Sequence, residues 1–103
     1  MALIPTSAFT PDASVGCSAG PTAAAVLLPG TPASDTTLRV TNIGNNPVGV
    51  KLGTSSAVTC TMSTGLVVMP GQTEYLGIGA NTYLALCTGA PGTSSSVNLT
   101  TGN

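Results

Sequence analysis

The chain offers few residues that could do chemistry. Histidine is absent, which removes the usual general base, the partner of a Ser or Cys nucleophile, and the commonest metal ligand. A Ser-Lys dyad would have to use Lys51, which alternation places on the polar face of a strand, where a solvated lysine is the ordinary state. A glycosidase-type acid and base would have to come from Asp12, Asp35 and Glu74, which are scattered along the chain, and Asp35 before Thr36 reads as a turn residue. Cys17, Cys60 and Cys87 are odd in number, with spacings that suit neither a disulfide framework nor a metal site. They read as reduced thiols packed as small apolar groups, with a Cys60 to Cys87 bridge as the lesser alternative. Gly77-Ile78-Gly79 starts like a dinucleotide fingerprint, but the third glycine is missing and no helix follows. Asn98-Leu99-Thr100 matches a glycosylation sequon; without a secretory segment it reads as a strand with outward polar residues. Tyr75 and Tyr83, set across a turn, fit cross-strand core packing better than a sugar-binding platform. The expectation is a non-enzyme with no catalytic residue, no metal and no cofactor.

Composition narrows the class further. A chain of 103 residues suits one domain and buries only about two-thirds of the surface its unfolded form exposes. Aliphatics must fill the core, because there is no Trp, one Phe and two Tyr. Asp12, Asp35, Glu74, Arg39 and Lys51 are all the charged side chains, 5% of residues, where roughly 25% is usual. The polar surface is therefore Thr, Ser, Asn and backbone, which gives little self-repulsion and little protection against association. Much of it is expected to be covered by a partner. A net charge of −1 without a basic cluster argues against nucleic acid. No apolar run approaches the length of about 18 residues that spans a bilayer; the longest, Ala23 to Leu28, stops at Pro29. The reading is a soluble chain, and Met1 to Ser7 lacks the basic and continuous apolar regions of a secretory signal, which favours an intracellular product.

The elements that must position these residues are strands. Leu38 and Val40 alternate with Arg39 and Thr41, and Val48, Val50 and Leu52 alternate with Gly49 and Lys51, the period of a half-buried strand. Gly44-Asn45-Asn46-Pro47 between them is turn chemistry, so the stretch reads as a hairpin. Residues 1–21, rich in Pro, Ser, Ala and Gly, read as an extended N-terminal arm, and 22–103 as a β-sandwich domain. Leu3, Ile4 and Phe9 are the arm residues expected to bind a neighbour. Thr22 to Leu28 reads as the first core strand, and Val58 to Met62 and Leu66 to Met69 as short strands. Pro70-Gly71 suits the centre of a type II turn. Thr73 to Ile78 and Tyr83 to Cys87 read as partner strands, and Ser96 to Thr100 as the last strand. Many short strands with turn signals and no helix predict an all-β fold: a small antiparallel β-sandwich or jelly-roll-like barrel.

Leu38-Arg39-Val40-Thr41-Asn42-Ile43-Gly44, followed by Pro47-Val48-Gly49-Val50-Lys51-Leu52-Gly53-Thr54-Ser55-Ser56, resembles a phrase of small virion proteins from tailed bacteriophages. Val68-Met69-Pro70-Gly71-Gln72-Thr73-Glu74-Tyr75, Thr82 to Ala85 and the strand Ser96 to Thr100 resemble their later segments, so the likeness covers residues 36–101. It implies a decoration or cement protein that binds the outside of a phage capsid and stabilises it. The partners would be the major capsid protein and the chain itself as a homotrimer, and the location the capsid surface of a virion made in the host bacterial cytoplasm. The alternatives are a tail or baseplate component, and a host-surface or glycan-binding module.

Overall fold

The structure is a computed structural model that describes residues 9–30 and 35–103. Among these residues eight strands form: β1 (Pro11–Ala19), β2 (Ala24–Leu27), β3 (Thr37–Asn42), β4 (Val48–Gly53), β5 (Leu66–Val68), β6 (Thr73–Gly77), β7 (Tyr83–Cys87) and β8 (Ser95–Gly102). Period-two alternation sends Leu38 and Val40 of β3 inward beside Val97 and Leu99 of β8, and leaves Arg39 and Thr41 on the other face. Val48 and Val50 of β4 face the same core with Leu84 and Leu86 of β7 and Val68 of β5. These residues are almost completely buried, so the core is aliphatic, as the shortage of aromatics requires.

Two four-stranded antiparallel sheets enclose it, in the orders β1-β8-β3-β6 and β2-β7-β4-β5. Eight strands in two Greek-key sheets make a jelly roll. The small all-β sandwich expected from the strand pattern is what forms, and there is no helix among the described residues.

The pairing differs from the sequence reading. β3 and β4 are not a hairpin: β3 pairs with β6 and β8, β4 with β5 and β7. The Gly44 to Pro47 turn carries the chain from one sheet to the other. β6 and β7 likewise lie in different sheets. Only β4 and β5 are both consecutive and hydrogen-bonded to each other. Val58 to Met62 forms no strand; it lies as a cover on the second sheet, with Val58, Cys60 and Met62 packed against Ala85 and Cys87. Within the stretch read as an arm, Pro11–Ala19 is β1, paired with β8 over most of its length. The Pro70-Gly71 turn forms as expected, with Gly71 at φ 79° and the Gln72 N–H donating to the Met69 carbonyl at 2.9 Å.

One buried amide ties the sheets together. Asn42, 0% exposed, ends β3 and faces inward. Its Nδ2 donates to the Asn46 carbonyl at 2.7 Å and the Val68 carbonyl at 2.9 Å. Its Oδ1 accepts from the Gly44 N–H at 3.0 Å and from Ser95 Oγ at 2.7 Å. Four partners meet the capacity of a side-chain amide and join the crossover, β5 and β8. Asn42→Ala leaves several of these groups buried and unpaired, at a cost of about 3 kcal/mol. The melting temperature should then fall by roughly 12 °C; a fall of under about 3 °C in calorimetry would refute the role.

A chain starting at Thr22 strips β1 from β8 and is expected to lose cooperative melting by circular dichroism; unchanged stability would show that β1 adds nothing to the first sheet.

Candidate functional site

The structure keeps most of the chemistry-bearing residues apart. Lys51 is exposed on β4, opposite Ala85 in the ladder. Asp12 and Asp35 do converge, on either side of Gly30: a β-carbon there would lie 3.0 Å from Asp12 Oδ2 and would collide with the Asp35 carboxylate and Thr101 Oγ1. Glu74 sits elsewhere, accepting from Gln72 Nε2 at 2.5 Å. Among the described residues no three His, Cys, Asp or Glu side chains gather as a metal site. Tyr75 and Tyr83 do not pack together, because they belong to different sheets; Tyr75 is 54% exposed.

Phe9, expected at a neighbour, is placed on its own chain. Its ring meets Tyr75 edge to face, with centroids 5.4 Å apart and planes at 74°, and the Arg39 guanidinium carbon lies 5.8 Å from its centroid. Arg39 also donates from Nη2 to Thr100 Oγ1 at 3.2 Å, and Thr100 Oγ1 lies 2.9 Å from Ser14 Oγ. The buried Arg39 Nε makes no hydrogen bond; the aromatic face of Phe9 is what meets the cation. Ser14, Thr100, Arg39 and Tyr75 form a continuous row across the outer face of the first sheet. Leu3 and Ile4 lie outside the described residues.

The edges of that sheet are β1 and β6. Edge strands present a row of unpaired backbone groups, and proteins guard them with brevity, charge, proline or bulges. β2 and β5 are short, at 4 and 3 residues, and β6 carries Glu74. β1 has Pro11, Asp12 and a register shift at its start, but from Ala13 to Ala19 it has no charge, no proline and no further irregularity. Ser14, Gly16 and Ser18 face solvent, while Val15 and Cys17 are half-buried. That alternation was present in the sequence, weakened by how small the residues are.

On the second sheet, residues 54–65 cover the outer face of β7, so Tyr83–Cys87 is buried on both sides apart from Tyr83. Two glycines of β4 permit the approach. A β-carbon on Gly53 would collide with Val58, and one on Gly49 would lie 3.1 Å from Met62 Sδ and 3.6 Å from Cys87 Sγ. The cover brings Cys60 Sγ to 3.5 Å from Cys87 Sγ, and both are free thiols. Burial, reinforced by the hydrogen bond and the charge of Cys87 and opposed by Lys51, pushes the Cys60 thiol from 9.0 up to about 12; burial alone raises Cys17. A folded value above the unfolded one favours the native state fully below about pH 9, and that advantage is lost as pH rises toward 12. The reduced protein should therefore show a falling denaturant midpoint across this window, with a smaller fall in Cys60→Ala; equal slopes in the two would refute the coupling.

No protein-family model matches the chain, and no curated protein matches it. Solved structures do. A protein described under "Bacillus endospore appendages form a novel family of disulfide-linked pili" aligns over 90% of this chain and 85% of its own, at 14% identity and a TM-score of 0.58. PirA aligns over 87% of this chain and 94% of its own, at 14% identity and a TM-score of 0.51. At such identity the likeness establishes the fold alone. It nevertheless corrects the sequence reading: the similar structures are an endospore-appendage pilus protein and PirA, not capsid decoration proteins. The phage kinship, the decoration or cement role, the capsid partner and the virion location are withdrawn on that ground. The phrases that carried them are strand and turn patterns that unrelated sandwiches share.

Proposed function

We propose that this protein is a structural, non-catalytic subunit that associates with copies of itself through the edge of its first sheet to build an appendage-like fibre. The observation that carries the reading is β1, whose stretch from Ala13 to Ala19 is a long, uncharged, regular strand edge. Such an edge accepts another strand by main-chain hydrogen bonds. The sparse charge, net −1 from five charged side chains, leaves little repulsion to oppose stacking of copies. The fold shared with a protein of disulfide-linked pili supports the same reading. Pairing of β1 with a different edge of the next copy would be heterologous and would grow an open filament.

Gly16 offers a clean test, because it is exposed and a β-carbon there meets nothing within 4 Å. Gly16→Lys places a charge on the edge without disturbing the core. Wild-type chain is expected to form high-mass species in sedimentation and filaments in negative-stain electron microscopy, and Gly16→Lys to remain monomeric with unchanged melting. A wild type that stays monomeric at every concentration, or a variant that assembles equally well, would overturn the proposal.

A further inference from the structure

We infer that Cys60 and Cys87 are a built intramolecular disulfide site, which closes when the chain meets a low-molecular-weight disulfide such as oxidised glutathione and fastens the 54–65 cover to β7. The two sulfurs already lie 3.5 Å apart in an apolar layer of Ala23, Val58, Met62 and Ala85. Cys60 Sγ donates to the Gly49 carbonyl at 3.4 Å, and Cys87 Sγ to the Cys60 carbonyl at 3.5 Å, so Cys87 is turned toward the Cys60 backbone and Cys60 toward the strand beside Cys87. Gly49 stands opposite Cys87 in the ladder, and its lack of a side chain leaves room for the cover to settle. Cys60 is held from its other side too: Thr61 makes a closed turn, with its N–H donating to Thr64 Oγ1 at 3.0 Å and the Gly65 N–H to the Thr61 carbonyl at 2.9 Å. Cys17 belongs to the other sheet, opposite Val97, so it does not compete.

Cys60 is carried on the cover and is the more accessible of the two, at 6% against 2%. Its thiolate attacks one sulfur of the small disulfide, forming a mixed disulfide and expelling one thiolate. Cys87 then attacks the Cys60 sulfur, expelling the second. Two cysteine thiols are oxidised, one small disulfide is reduced to two thiols, and the two cysteine protons pass to the departing thiolates. Both cysteines are buried and burial keeps the Cys60 thiol protonated, so the reaction is slow in the native state and accelerates when the cover lifts.

The test incubates the full chain in a glutathione redox buffer, both native and during refolding from denaturant. Intact mass and cleavage after Glu74, which lies between the two cysteines, then report the product. The expected result is a monomer lighter by two hydrogens whose fragments stay joined until a reductant is added, melting about 10 °C above the reduced form. The inference is overturned if all three thiols remain free in both arms, if the product is a glutathione adduct, or if the bond links two chains.

Discussion

Everything in this sandwich depends on two sheets being held in one register at the point where the chain crosses between them, and the Asn42 side chain does that. An aliphatic core is indifferent to small slips, since Leu against Val is nearly as good in one position as in the next. A buried amide is not. Its four hydrogen bonds reach the crossover, β5 and β8, and those to the Val68 carbonyl and Ser95 Oγ are lost if β5 or β8 moves by a residue. The backbone of Asn42 adds to this, donating to the Gln72 carbonyl and accepting from the Gly71 N–H. Polar satisfaction at one end of the core thus selects one arrangement out of several that burial alone would allow.

The two surfaces of functional interest follow from how each sheet treats its outer face. The second sheet hides its outer side under a loop, and glycines on β4 thin the strand so that the loop can lie close. Among the described residues the first sheet carries no such cover, and a row of Ser14, Thr100, Arg39 and Tyr75 with the Phe9 ring lies across it. One side is sealed and holds a pair of thiols; the other ends in β1, an edge strand among the described residues. With the assembly and the disulfide proposed above, rigidity and adhesiveness would lie on separate faces.

Strand positions were largely legible in the sequence because alternation is a local property: β4, β5, β6 and β7 fall within stretches read as strands, while β3 starts one residue before its stretch and β8 runs one residue before and two beyond Ser96 to Thr100. Partners were not. Gly44 to Pro47 has the chemistry of a hairpin turn, yet the same residue types serve a corner between sheets, and nothing local tells the two apart. β1 was missed because Ala13, Val15, Cys17 and Ala19 are small and their outward neighbours include Gly16, so the apolar stripe is faint. The Cys60 and Cys87 site had a partial signal: Val58, Cys60 and Met62 alternate correctly with Thr59 and Thr61, and two glycines sit on the outward face of β4. What the alternation could not show is that this segment lies over a sheet instead of joining one.

The position of β8 carries a consequence for the order in which the molecule can be made. It is eighth of the strands along the chain, yet it lies between β1 and β3, so the first sheet has no middle until residues 95–102 have been synthesised. At ordinary elongation speeds β1 waits roughly 4 to 17 seconds for the partner that completes its pairing. Throughout that interval both of its edges are bare, and on a crowded polysome the nearest bare strand belongs to a neighbouring nascent chain. The strand proposed to take up another copy in the finished subunit is thus also the one most in need of a chaperone while the subunit is being born.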